Sequence, residues 1–386
     1  MKTRAGVLWG TNQQWQIEEV SIDPPRAGEV LVHWKAAGLC HSDEHMVTGD
    51  MVPPPEALAM MGIDSMFPII GGHEGAGIVE EVGPGVTTVK PGDHVSASFI
   101  PSCGRCRYCS TGRQNLCDNG RGTLGGGMIT DGTHRHFVGD RSADQHVGLM
   151  AKVGTFAQHA VVSEDSVIKV DDDLPLDCVA LVSCGVATGF GSATARADVR
   201  TGDTVVVVGI GGIGINAVQG ARLAGAKHVI AIDPVEFKRE KAMELGATHT
   251  FRSMEEALPA VMDLSWGQMA DKVIMTPGVL YGEMMELGLA LTGKGGTCVV
   301  TAIAPMTQNE ASVNLFQLAM YNKEIKGTIF GSLNPRADIP RLLSMYREGS
   351  LKLDELITRR YPLDRINDGY EAMRSGENIR GVIVHD

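Results

Sequence analysis

The chain has 386 residues and a net charge of −12 at pH 7, from 46 acidic and 34 basic side chains. Apolar residues make up 43% and charged residues 21%, as in a folded globular protein, and the length calls for two domains rather than one core. An interspersed acidic excess would repel a phosphate backbone, which argues against nucleic-acid binding. The opening residues carry no apolar h-region. The most apolar stretch, 205–215, is about half the length of a bilayer span and is broken by glycines. A soluble, cytoplasmic protein with reduced cysteines is expected, with a small molecule as partner and neither membrane nor nucleic acid.

In chain order, roughly the first 185 residues read as β-rich. Runs such as Val30-Leu31-Val32-His33-Trp34 and residues 77–83 are bounded by turns such as Pro84-Gly85 and Pro91-Gly92-Asp93. Residues 38–45 set Cys40 among polar and titratable neighbours, and residues 71–77 set His73 and Glu74 among glycines. Between them, 51–68 is rich in proline and methionine, with Met51, Met60, Met61 and Met66. Packing is the plain reading, and a loop over a substrate cleft the sharper one. Residues 102–155 read as loop; His134, His136 and His146 there offer a conceivable third metal site, but solvated loop histidines are the plainer reading.

Cys103, Cys106, Cys109 and Cys117 fall within fifteen residues. Four thiolates complete a tetrahedral zinc with no open position, so the site they would form is structural. Arg105, Arg107 and Arg113 are expected to offset their charge. Iron–sulfur spacing differs from this one, and free reduced thiols are the bland alternative. Cys178 and Cys298 read as buried and structural.

From about Gly185 the texture becomes alternating strand and helix. Thr204-Val205-Val206-Val207-Val208 is a β-branched run suited to a strand buried on both faces. Gly209-Ile210-Gly211-Gly212-Ile213-Gly214 follows it, and apolar residues then recur at helical spacing. Residues 228–232 read as the next strand and 237–245 as the next helix. The rhythm predicts an α/β fold with a doubly wound parallel sheet. The glycines allow a tight turn and close approach of a pyrophosphate to the helix N-terminus. Asp233, 19 residues beyond Gly214, is set to accept the adenosine ribose hydroxyls and to repel a 2′-phosphate, favouring NAD. The last stretch loses the rhythm and is expected to rejoin the first domain.

Cys40, His73 and Cys184 together would give three ligands and one open position, a catalytic zinc set. Nothing in their spacing brings them together, and singly each is more ordinarily a core residue. These segments, the four-cysteine lobe and the glycine loop closely resemble, in order, the zinc-containing alcohol dehydrogenases of the medium-chain dehydrogenase family. The likeness runs on to residues 327–331 and 374–380. It implies a GroES-like β-rich catalytic domain over 1–185 and 330–386 and a Rossmann NAD-binding domain over 186–329. It implies two zinc ions (Zn2+) per chain, a catalytic one on Cys40, His73 and Cys184 and a structural one on Cys103, Cys106, Cys109 and Cys117. Glu74 and Asp43 would stand behind the ligands, Asp43 orienting His73. His41 and Arg380 match pyrophosphate contacts, Lys238 matches an adenosine-ribose contact, and Thr188 and Ile213 would flank the nicotinamide.

The implied reaction interconverts a primary or secondary alcohol and its aldehyde or ketone by hydride transfer to NAD. Ser42 would take the hydroxyl proton and His45 would release it to solvent. A homodimer or homotetramer is expected. Residues 7–10, 38–45 and 47–50 resemble the actinobacterial NDMA-dependent (nicotinoprotein) branch, in which NAD stays bound and an external redox partner or artificial acceptor re-oxidises it. The competing reading is a glutathione-dependent formaldehyde (S-hydroxymethylglutathione) dehydrogenase. A sugar dehydrogenase and a catalytically silent relative are disfavoured because all seven ligands are present.

Overall fold

The computed structural model describes all residues except 61, 64, 121–125 and 140–144, so Met61 lies outside the described residues. The chain divides into two compact units, Met1–Cys184 with Asn334–Asp386, and Gly185–Leu333. The return to the first unit therefore comes at Asn334 rather than at 330.

The first unit is built on the strand Glu29–Gly38. It pairs antiparallel with Glu74–Val82, with His159–Ser163 and, at its far end, with Arg380–Val384. Both paired strands begin earlier or run longer than their apolar runs suggest. Glycine is depleted in strands, so the start of Glu74–Val82 is hidden in the sequence. The pairing explains the glycine at 77: a Cβ there would sit 2.2 Å from the His33 carbonyl oxygen. Val30, Val32, Trp34, Val79, Val95 and Val162 fill the core of this sheet. A second core gathers Leu8, Trp15, Leu39, Met46, Met66, Phe156 and Tyr370.

The Met-rich stretch divides. Met66 is core, Met51 packs against it, and Met60, at the end of the short helix Pro55–Met60, is 90% exposed. His136 is not a solvated loop residue. It lies buried in the strand His136–Val138, and its Nε2 accepts from the Val161 N–H at 3.2 Å. Burial pushes its pKa down to about 3, because no neighbour compensates a charge there.

The second unit is a six-stranded parallel sheet, ordered His249–Phe251, His228–Ile232, Thr204–Val208, Ala270–Met275, Thr292–Val300, Glu324–Gly327. Chain order runs outward for three strands, then returns to the far side of Thr204–Val208. This reversal opens a crevice at the carboxyl end of that strand, the place where doubly wound folds bind ligands. Every residue of Thr204–Val208 is buried, as its β-branched run requires. The glycine loop leads from this strand into the helix Gly214–Leu223. Cys298 lies in the sheet's core, and Cys178 is equally buried in the first unit.

The helical run Leu176–Arg196 is long and apolar enough to cross a bilayer, which the apolar stretch at 205–215 did not suggest. With 89% of its apolar window buried, it reads as a core helix.

At Gly214 a Cβ would come 1.8 Å from the Gly209 carbonyl oxygen, so the helix can meet the loop only without a side chain. Gly214→Ala should lower stability by about 1–3 kcal/mol through this overpacking. It should also weaken dinucleotide binding. Urea unfolding and a nucleotide titration would check this; wild-type values for both would mean the close approach is not needed.

Candidate catalytic metal centre

Three stretches far apart in sequence meet where strands end. Cys40 follows the strand Glu29–Gly38 and precedes the helix His41–Thr48. His73 precedes Glu74, the first residue of the strand Glu74–Val82. Cys184 sits in a π-helical turn, Val182–Val186, which widens the helix locally. Donor atoms of Cys40, His73, Glu74 and Cys184 all lie within 4.8 Å of one another, and all four residues are buried. His73 Nε2 is buried with no hydrogen-bond partner among the described residues. Two sulfurs around an orphaned imidazole nitrogen are the donor set a zinc ion accepts, so the residues fit the metal.

The surroundings hold this cluster from every side. Asp43 Oδ1 accepts from the Gly72 N–H at 2.7 Å, and its Oδ2 lies 2.9 Å from His73 Nδ1. Ser183 Oγ accepts from the Gly75 N–H at 3.1 Å. Glu74 is not free to swing: its Oε2 pairs with Arg380 Nη2, which also donates to the Leu39 carbonyl at 3.1 Å. Gly38 is the local trace of that pair. A Cβ at Gly38 would fall 2.1 Å from Glu74 Oε2 and 2.8 Å from Arg380 Nη2. Glu44, also buried, is held by Arg374 Nη1 at 2.9 and 3.1 Å.

The charge balance follows from burial. A hydrogen bond from the Cys184 thiol holds Cys40 well below the usual thiol range, against burial, with His73 and Arg380 assisting. The same bond and burial push Cys184 well above it. Burial raises Glu74 to about 7, with Arg380 opposing. Burial also disfavours a charge on His73, yet Asp43 and the Cys40 thiolate outweigh it and its pKa rises. The protein groups alone thus draw a proton to the imidazole. A dication there would supply that positive charge and let both thiols ionise.

Ser42 and His45 lie on the helix His41–Thr48. Ser42 Oγ is 3.7 Å from Cys40 Sγ. His45 is not a solvated surface residue: it is 2% exposed, and its Nδ1 bonds Asp50 Oδ2 at 3.0 Å. Asp50 also accepts from Thr48 Oγ1 at 2.7 Å. His41 is exposed at the start of the helix.

The four-cysteine lobe is a separate cluster, its donor atoms again within 4.8 Å of one another. Cys103 Sγ and Cys109 Sγ are 4.0 Å apart, far from a disulfide and near the ~3.8 Å edge of a tetrahedron with ~2.3 Å zinc–sulfur bonds. Backbone N–H groups of Cys103, Cys109 and Asp118 point at sulfurs, at 3.5, 3.4 and 3.5 Å. Burial would raise Cys106, but the Asp118 and Cys109 N–H groups bring it down to about 6, while burial lifts Cys109 to about 12. Arg107 and Arg113 lie over the Tyr108 ring, at 4.5 and 5.1 Å from its centroid.

In the second unit the glycine loop has room where a cofactor needs it. A Cβ at Gly211 would meet nothing within 4 Å, whereas one at Gly209 would be 2.5 Å from the Thr276 carbonyl. Ile213 caps the helix, and Thr188 Oγ1 is buried without a partner among the described residues. Asp233 accepts from the Ile210 N–H at 2.8 Å and the Val235 N–H at 2.9 Å, so it also fixes the loop. Lys238 is half-buried nearby in sequence, while Arg239 Nη1 is turned onto the Asp233 and Pro234 carbonyls at 2.8 and 2.9 Å.

Comparison with known proteins matches residues 26–172 to the family described as "Alcohol dehydrogenase GroES-like domain" and residues 212–348 to "Zinc-binding dehydrogenase". The chain is 53% identical to the NDMA-dependent alcohol dehydrogenase of Amycolatopsis methanolica, over 100% of this chain and 99% of that one. The chain belongs to the zinc-containing alcohol dehydrogenase family. It is a zinc- and nicotinamide-dependent oxidoreductase of the medium-chain type, with the GroES-like and Rossmann folds expected of that family. The benzyl alcohol dehydrogenase of Acinetobacter calcoaceticus matches with a TM-score of 0.88 at 28% identity, over 100% of both chains. The S-(hydroxymethyl)glutathione dehydrogenase of Paracoccus denitrificans is more distant, 38% identical over 100% of both.

Gly38→Ala should drive a methyl into the Glu74–Arg380 pair. Loss of a buried pair costs about 3–5 kcal/mol. The expected result in metal analysis is loss of the equivalent bound near Cys40, with the four-cysteine metal retained. Full metal content would show that the pair can move aside.

Proposed function

We propose that the chain oxidises an alcohol at a zinc ion held by Cys40, His73 and Cys184, with NAD retained through turnover and re-oxidised by an external acceptor. The observation that carries this reading is the buried cluster of two sulfurs and one unpartnered imidazole nitrogen, a set that leaves a position for substrate. When bound, zinc supplies Lewis acidity toward a hydroxyl and NAD takes the hydride. This chain's own groups do the rest. Asp43 holds His73 Nδ1 so that Nε2 faces the ion. Glu74, with Arg380 as counter-charge, backs the ligands. Ser42 takes the hydroxyl proton, and His45, three positions on along one helix face, passes it outward. The hydrogen bond from His45 to Asp50 gives that proton an acceptor at the half-buried edge of the helix.

Cys103, Cys106, Cys109 and Cys117 hold a second, structural zinc, which makes two per chain. Gly209, Gly211, Gly212 and Gly214 cradle the pyrophosphate, Asp233 and Lys238 bind the adenosine ribose, and Thr188 and Ile213 flank the nicotinamide. Arg380, buried and bonded to Glu74 and Leu39, serves the ligand cluster before it serves a phosphate. The retained-cofactor reading is supported by the likeness to the NDMA-dependent alcohol dehydrogenase of Amycolatopsis methanolica. A homo-oligomer is supported by the exposed Leu315, Phe316 and Met320 on the helix Leu315–Met320 and the exposed Ile325 on the edge strand Glu324–Gly327. Two thiol clusters that must stay reduced favour the cytoplasm.

Purified protein should carry two zincs and a nicotinamide that survives desalting. It should oxidise alcohols with an artificial acceptor and no added NAD or glutathione. Absolute dependence on added NAD would remove retention, and dependence on glutathione would favour the other reading. Ser42→Ala should lower kcat by about 100-fold or more with both zincs in place. Unchanged turnover would take Ser42 out of the proton path.

A further inference from the structure

We propose that His33, Glu80 and His159 form a third, surface binding site, for a divalent transition cation of the zinc–copper class. The sheet of the first unit brings them together. His33 lies on the central strand Glu29–Gly38, directly opposite His159 on the strand His159–Ser163. On the other side His33 pairs with Ile78, and Glu80 is the residue left unpaired where the register shifts between Val79 and Glu81, its carboxylate turned onto His33. Glu80 Oε1 is 3.4 Å from His33 Nδ1, and its Oε2 is 3.5 Å from His159 Nε2. The three donor atoms lie within 4.8 Å of one another. Ligand atoms ~2.0–2.2 Å from one ion stand at comparable separations.

The outer hydrogen bonds allow the tautomers in which the inner ring nitrogens are available. His33 Nε2 lies 3.0 Å from Asp386 O. That oxygen can only accept, so with the proton on Nε2 the other ring nitrogen, Nδ1, turns a lone pair toward Glu80. Lys35 Nζ, 3.2 Å from the same ring nitrogen, has its own acceptor in Asp386 O at 3.2 Å. His159 Nδ1 is 3.3 Å from Thr3 Oγ1, which accepts the His159 backbone N–H at 3.1 Å. The hydroxyl's second lone pair can accept from Nδ1–H, which leaves Nε2 also facing the carboxylate. Metal-binding histidines are oriented by outer partners of this kind.

In the tautomer with both outer nitrogens protonated, two imidazole lone pairs face one carboxylate, an arrangement that a cation between them stabilises. Protons would put two charges on rings stacked 4.1 Å apart, with Lys35 beside them. Burial and the neighbouring His33 charge lower the pKa of His159, although Glu80 opposes. One dication serves both nitrogens and the carboxylate at once. Two imidazoles and a carboxylate are borderline ligands suited to zinc or copper(II), with water filling the remaining positions. The side chains are 20%, 40% and 18% exposed for His33, Glu80 and His159, so an ion can reach them. The rings lie 22° from parallel and must tilt for both lone pairs to converge, a small rotation about a soft torsion.

The test uses the purified, zinc-loaded enzyme, dialysed against micromolar Zn2+, with bound metal counted and the thermal midpoint recorded. Wild type should take up one equivalent beyond the cysteine clusters and gain thermal stability. His159→Gln and Glu80→Gln should each weaken that uptake by more than ~10-fold and lose the gain, with alcohol turnover unchanged. In the copper-loaded protein, electron paramagnetic resonance should report two nitrogen ligands, and one in His159→Gln. No additional equivalent in wild type would overturn the site. So would an additional equivalent that survives both substitutions.

Discussion

The ligand cluster of the first unit depends on one buried ion pair, Glu74 with Arg380, lying across Gly38. Each partner is tied to a residue the cluster needs, one along the chain and one by a hydrogen bond. Glu74 follows His73, and Arg380 donates to the carbonyl of Leu39, next to Cys40. The pair therefore ties the ends of three strands, Glu29–Gly38, Glu74–Val82 and Arg380–Val384, at the point where the donor atoms gather. Taking a guanidinium and a carboxylate out of water is costly, and such pairs are poor evidence of stability. Its contribution is position and charge. Arg380 is a fixed cation beside two sulfurs and a carboxylate, and its geometry is set by strand pairing rather than by flexible side-chain contacts.

The two cysteine clusters meet the same electrostatic demand in different ways. The four-cysteine lobe is local, partly open, and stabilised by its own backbone N–H groups. It is anchored within its unit by Gln114 N–H to Asn334 Oδ1 at 2.8 Å and by Arg336 Nε to the Ser102 carbonyl at 2.7 Å. The Cys40 cluster is buried and assembled from distant segments, so it needs charged side chains and a helix widened at Cys184. A closed site can be built by a loop, whereas one that must keep a position open in a dry pocket has to be held from outside.

In the second unit the glycines divide by purpose. Gly209 and Gly214 are required by the protein itself, because a Cβ would strike backbone, while Gly211 faces open space. Asp233 works in both senses, bracing the loop through the Ile210 N–H while lying at the end of the second strand. Its place is a consequence of the strand order, which puts the loop at the reversal of the sheet.

Local patterns carried much of this in the sequence. The β-branched run at 204–208, the glycine loop, the strand His228–Ile232 and the four close cysteines are all written by near neighbours. Turn rules and side-chain periods act over a few residues, so such features can be read without a fold. The tertiary structure alone decided that Cys40, His73 and Cys184 meet, that Arg380 faces Glu74, that His45 and His136 are buried, and that Met60 and Met66 part company. It also set His33 opposite His159. Those facts come from pairing strands tens to hundreds of residues apart, which depends on packing and chain closure and leaves no periodic trace. Glycines such as those at 38 and 77 are local marks of it, small because another strand or its charges must come close.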